Sequence, residues 1–221
     1  METVQNAIRR IILSDQDIEL LSFYKSYPIS IKAKIQSFEA GNLIVSVYPP
    51  GSVCLYQNKS TILLSSNLHD AIRAKVVRFN SGDETVELSN LAYVGPWTGR
   101  RMIVRVQPGP SLPVLLERGG MEIHGSVADI SLNGLGVFVT NPIIKKDDLF
   151  TIKIQLPDGE LVVPGKVIEV TQLTGMNRLA IKFTAKNKEI ALILKYISKR
   201  RSELNDEVQR LFEKVYKTAK A

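Results

Sequence analysis

The sequence predicts a mostly β protein, two small antiparallel β-barrels in tandem with a C-terminal α-helix. Three observations carry this. Apolar and polar residues alternate with period two over several short stretches, as in Ile29, Ile31, Ala33 and Ile35 against Ser30, Lys32, Lys34 and Gln36, the pattern of half-buried strands. Clusters such as Gly41-Asn42, Asn80-Ser81-Gly82-Asp83, Gly119-Gly120 and Pro157-Asp158-Gly159 separate those stretches as hairpin turns do. Past Asn187, Ile190, Ile193, Ile197, Leu204, Val208, Leu211 and Val215 recur at three, four or seven residues, the spacing of an amphipathic helix.

At the start of the chain, Ile8, Ile11 and Ile12, with Ile18 and Leu21, suit one face of a short helix or a loosely packed lead-in, broken at Ser14-Asp15. The strand from Pro28 is followed by Leu43–Tyr48, and Pro49-Pro50-Gly51 breaks the chain before a strand at Val53–Tyr56. Strands at 61–65, 71–79 and 85–91 complete a first barrel domain over residues 1–94.

Residues 95–106 form a linker, Pro- and Gly-containing at its start, that ends in an arginine-rich stretch. Val114–Arg118 and Met121–Val127 then pair across Gly119-Gly120. Further strands at 136–139, 149–156, 160–170 and 178–183 make a second barrel domain over residues 99–201. The helical segment, 187–217, reads as one helix or two. Its apolar seam is interrupted at Lys199-Arg200-Arg201, and a stutter from Leu204 to Val208 argues against a continuous coiled coil. Its first half suits capping of the second barrel, and its second half suits another surface, a docking site or self-association as a homodimer.

At 221 residues and 44% hydrophobic content the chain can bury two cores. No apolar run is long enough to span a membrane, and the N-terminus lacks the layout of a signal peptide, so a cytoplasmic, not membrane-embedded protein is expected. One cysteine, Cys54, excludes an internal disulfide, and two histidines at distant positions give no metal-ligand spacing. A net charge of +7 admits a polyanionic partner without choosing one.

The chemistry-bearing residues fall into two groups. Arg100, Arg101 and Arg105 crowd guanidiniums beside an apolar run, and closely spaced arginine forks suit a dense anion. In an extended segment Arg101 and Arg105 share one side, about 13 Å apart. Asp129-Ile130-Ser131-Leu132-Asn133-Gly134-Leu135-Gly136 reads as a turn whose Asp and Ser can bond local backbone or a ligand, with Gly134 and Gly136 permitting positive φ or close approach.

The order Arg101-xxx-Arg105, then Asp129-x-Ser131-xx-Gly134, resembles the PilZ domain family, bacterial receptors for cyclic di-GMP. The resemblance covers about Gly99 to Arg201, and the preceding barrel resembles the N-terminal partner domain of the flagellar-brake type. Ala180, where glycine is frequent, and the aliphatic Met102-Ile103-Val104 between the arginines depart from the family without removing a polar ligand group. The resemblance implies that Arg101 and Arg105 bind phosphate or guanine, Asp129 accepts from a guanine edge, Ser131 bonds a phosphate or its own loop, and Gly134 keeps that loop low. Arg100 is a further guanidinium suited to stack on a guanine. No cofactor or metal is called for. The resemblance also implies an output through a protein partner such as the flagellar motor, by a changed arrangement of the two domains.

Other chemistries fit less well. Gly159–Lys166 mimics a phosphate loop, but its glycines are one residue too far apart and Val167 replaces the required hydroxyl. His124, Asp129 and Ser131 hold the side chains of a hydrolase triad without a nucleophile elbow, so no enzyme is expected. A single-stranded nucleic-acid-binding small barrel is the alternative, although no aromatic-basic ladder supports it and no DNA partner is expected.

Overall fold

A computed structural model describes residues 2–94, 104–140 and 143–219. Helix α1 (Val4–Leu13) begins at Thr3, whose hydroxyl accepts the Asn6 N–H, and buries Ala7, Ile8 and Ile11. It ends at Ser14, and Asp15 takes a left-handed φ of 49°. Six strands follow: β1 (Ile18–Tyr24), β2 (Tyr27–Glu39), β3 (Asn42–Val47), β4 (Ser60–Leu64), β5 (Ile72–Asn80) and β6 (Thr85–Tyr93), with helix α2 (Val53–Gln57) between β3 and β4. They close into an antiparallel barrel in the order β1-β2-β3-β6-β5-β4. Alternate side chains point inward, among them Leu20, Ile31, Leu43, Val45, Leu63 and Leu88, each fully buried. Burying each stabilises by about 1.5–3 kcal/mol.

Two expectations for this half are corrected. Ile18 and Leu21 do not extend the leading helix but lie on β1, where Ile18, Leu20 and Ser22 are the inward residues. An inward serine hid the alternation; its hydroxyl donates to the Cys54 carbonyl at 3.3 Å. Val53–Tyr56 is not a strand but the body of α2, with Val53, Cys54 and Leu55 all buried. Three consecutive buried residues cannot alternate across a sheet face, whereas a helical turn can set all three against the barrel.

The second barrel is built from β7 (Pro113–Arg118), β8 (Met121–Ile130), β9 (Gly134–Val139), β10 (Leu149–Leu156), β11 (Gly159–Leu173) and β12 (Met176–Phe183), closed in the order β10-β11-β12-β9-β8-β7. Leu116, Ile123, Val137, Ile152, Leu161, Leu179 and Ile181 fill it. Gly165 lies so close to Ile152 and Ile181 that a Cβ there would come within 2.8 Å of Ile181 Cγ2, so the core requires the missing side chain. Closure leaves neither sheet with a free edge.

Helix α3 (Asn187–Ala219) is one continuous helix rather than two. Ile193, Tyr196 and Ile197 are buried, and Lys195 pairs with Asp158 of the β10–β11 turn at 2.5 Å. The seam's interruption is filled by Arg200, only 3% exposed, whose Nε donates to the Gln107 carbonyl at 2.8 Å and whose Nη1 meets Glu203 at 2.9 Å.

The chain divides into two compact units: the described parts of Met1–Tyr24, Pro28–Arg100 and Leu204–Ala221, and those of Lys25–Tyr27 and Arg101–Glu203. Among the described residues no helix is long and apolar enough to cross a membrane, and no group of three His, Cys, Asp or Glu is placed to hold a metal ion.

Candidate functional site

Arg105 and Asp129 meet on the second barrel, where β8, β9 and β12 lie side by side. Val106 exchanges two backbone hydrogen bonds with Ile130, both 3.0 Å, which pins the end of the arginine segment alongside β8. Arg105, half-exposed, therefore stands beside Asp129, with Nη1 3.6 Å from Oδ1. Arg100 and Arg101, with the linker around Trp97, lie outside the described residues.

Asp129 is the most informative residue. It belongs to β8 rather than to a turn, and its side chain is only 8% exposed. The β8–β9 register shifts between Val127 and Asp129, a bulge at Ala128 that re-aims the residues after it. Arg178 of β12 donates through Nη2 to Asp129 Oδ2 at 2.5 Å. A carboxylate this buried needs such a partner.

Gly136 makes the pairing geometrically feasible. It lies opposite Asp129 on β9, and a Cβ there would fall 2.6 Å from Asp129 Oδ2 and 2.9 Å from Arg178 Nη2. Neither Gly134 nor Gly136 has positive φ. Of the two properties expected of these glycines, close approach is the one realised, and at Gly136. Ala180, paired with Gly136 from the far side, keeps the same row of the sheet low.

Ser131 and Gly134 lie below this surface. Ser131 is 1% exposed, and both its hydroxyl (3.1 Å) and its N–H (2.9 Å) donate to the Gly134 carbonyl. Gly134 opens β9 opposite Lys182, and a Cβ there would make only ordinary contacts with Ile181 and Ser131. The pair shapes the turn that delivers β9 to Asp129.

Asp129 and Arg178 open onto a cleft of about 500 Å³, lined also by Gln107, Pro108, Gly109 and Phe138. That volume suits a small-molecule ligand. A larger cavity, about 890 Å³, lies elsewhere on the second barrel around Arg118, Phe150, Lys166 and Ile168; it contains no motif residue. Chemically, the cleft offers one buried carboxylate acceptor and the Arg178 guanidinium, with Arg105 beside that carboxylate. Sequence reasoning missed Arg178. The available signal was on β12, where Leu179, Ile181 and Phe183 point inward and leave Arg178, Ala180 and Lys182 on the face shared with Gly136.

Residues 99–199 match the family model of the PilZ domain. The PilZ match begins at Gly99 and spans every residue placed at this site, Arg178 included. An uncharacterized protein of Aquifex aeolicus (strain VF5) is 26% identical over 128 residues, 58% of this chain and 62% of the relative, so the match spans less than two thirds of that relative's length. Among solved structures, YcgR in complex with c-di-GMP from Escherichia coli is 12% identical with a TM-score of 0.47, covering 94% of this chain and 93% of that one. The K. pneumonia MrkH–c-di-GMP complex is 17% identical with a TM-score of 0.46, covering 91% and 94%. The Bacillus subtilis inhibitor of motility (MotI/DgrA) is 13% identical with a TM-score of 0.46, covering 86% and 97%. At such identities and scores, the chemistry of the site is read from its own residues.

Proposed function

We propose that this chain is a cyclic di-GMP receptor, a binding protein rather than an enzyme, acting in the cytoplasm. The observation that carries the reading is the meeting of Arg105 with Asp129, which lines the cleft together with Arg178. Cyclic di-GMP presents two phosphates and two guanines. Guanidinium forks suit the phosphates and the guanine acceptor edge, and a carboxylate is the acceptor suited to guanine N1–H and N2–H₂. Arg105 and Asp129 supply one of each, and Arg100 and Arg101 adjoin them in the sequence. The PilZ match over residues 99–199 supports the same ligand.

Calorimetry with cyclic di-GMP tests this directly. Saturable binding that an oligonucleotide does not displace is expected; displacement favours the single-stranded nucleic-acid reading, and absence of heat at micromolar concentrations rejects the ligand.

The output we propose is regulation of a protein partner, in motility, with the first barrel in the role of a flagellar-brake partner domain. Its support is the linker, Gly95 and Gly99 with Pro96 between, which suits a hinge. Close positive charges at Arg100, Arg101 and Arg105 repel one another until phosphates offset them, so ligand should order the segment and change the arrangement of the barrels. Spin labels at Ser81 and Thr174 measure this, and identical distance distributions with and without saturating ligand would sink the hinge.

A further inference from the structure

Arg178 belongs to neither sequence motif, yet it makes the shortest polar contact to Asp129. Nη2 lies 2.5 Å from Oδ2, inside hydrogen-bonding range, while Arg105 Nη1 stands 3.6 Å from Oδ1. The two oxygens are therefore unequal: Oδ2 is committed to β12, while Oδ1 has Arg105 at the longer distance. Gly136 adds a second, independent observation. Its φ lies outside the left-handed region, so conformation does not demand glycine there; the demand is spatial, since a Cβ would overlap both Oδ2 and Nη2. The strand between the two partners is thus cut away at the one point where their side chains cross it.

Charge gives the pairing a purpose. A lone buried carboxylate would repel a ligand carrying two phosphates, and it would have no fixed direction from which to accept a guanine N–H. Among the described residues, the charged groups paired with Asp129 are Arg178 from β12 and Arg105 from the segment before β7; Gly136 and Phe138 of β9 carry no charge.

We propose that Arg178 is a positioning residue of the ligand site: it clamps Asp129 by Oδ2 and offsets its charge, so that Oδ1 is presented to the guanine edge without opposing the phosphates. This rests on the cyclic di-GMP reading and deepens it.

The test is a double-mutant cycle in the full chain, using calorimetric cyclic di-GMP affinity and thermal melting. Arg178→Met should weaken binding about tenfold or more, the loss of one charge-assisted bond's worth of positioning. Arg178→Lys, which keeps the charge but not the fork, should recover part of that loss. Because Arg178 acts through Asp129, the double variant Asp129→Ala/Arg178→Met should bind no worse than Asp129→Ala alone. Losses that multiply, or an Arg178→Met variant that binds like wild type, overturn the proposal. Melting separates it from the ligand assignment: removing the stranded carboxylate should make the double variant melt higher than Arg178→Met. If wild type fails to bind cyclic di-GMP, the ligand falls and melting alone judges the pair; no recovery in the double variant then overturns the clamp.

Discussion

The Arg178 guanidinium and the Asp129 carboxylate meet at 2.5 Å over the backbone of Gly136, although 49 residues separate them in sequence. The surface of the second barrel is arranged so that one strand contributes the acid, one the base, and the strand between contributes nothing but room.

Gly136→Ala should therefore act on the site more than on the fold. The atoms its Cβ would overlap are side-chain ends that can swing aside, so the ion pair parts while β9 keeps its register. A stability loss of about 1–2 kcal/mol is expected, with a larger proportional loss of cyclic di-GMP affinity. Denaturant melts and calorimetry on the same preparation check this; unchanged affinity would show that the pair is irrelevant to binding.

Arg105→Ala removes a half-exposed guanidinium. It should weaken cyclic di-GMP binding by about 2 kcal/mol, roughly thirtyfold, with an unchanged circular dichroism spectrum. Arg101→Ala is expected to behave alike. Wild-type affinity in either variant moves the site elsewhere.

For Asp129→Ala the expected effect is on selectivity. An acceptor for guanine N–H groups is lost, so the preference for cyclic di-GMP over cyclic di-AMP should narrow. Parallel losses for both nucleotides would mean that Asp129 serves only its strand.

Acid stability provides a test away from the site. The Lys145 N–H, donating at 2.8 Å, and then Arg118, pairing at 2.5 Å, hold the Asp148 carboxyl below its ordinary value of 3.8. A carboxyl depressed on folding contributes stability above the unfolded value, and that contribution disappears as pH falls through 3.8 toward the folded value. Asp148→Asn should thus be less stable than wild type near neutrality, and the gap should narrow and close as pH falls below 3.8. A gap constant with pH would show that the pairing carries no linkage.

Cys54 should resist modification. It is fully buried in α2, and burial pushes its thiol up to about 12, so the reactive thiolate is scarce near neutrality. A maleimide or disulfide reagent should label the native chain far more slowly than the unfolded one. Equal rates would mean that α2 opens readily.

Both barrels were legible in the sequence because their strands alternate cleanly and end in Gly, Pro, Asn and Asp turns. Legibility failed where a polar residue faces inward or a short apolar run is buried on every side, as at Ser22 and at Val53–Leu55. Local periodicity encodes which face is wet, not which element supplies the cover. At the site, the resemblance to the PilZ pattern singled out Arg105 and Asp129, but it held no information on Arg178. That residue's partner is fixed by the order β8-β9-β12, which becomes known only when the barrel closes. Arg200 was hidden in the same way: inside a run of cations it read as a break in the seam, yet its apolar stem and its bond to Gln107 let it fill that seam.

The first unit is not one stretch of chain: it includes Leu204–Ala221, which supplies the buried Leu204 and Val208 and a Glu207 carboxylate that accepts from the Tyr24 hydroxyl at 3.3 Å. On the ribosome, every strand of the first barrel emerges before any strand of the second, but its closing segment emerges after all of them. The first barrel, synthesised before the second, is thus finished after it, and until α3 is made it must hold together, or be held, with the places of Leu204 and Val208 unfilled.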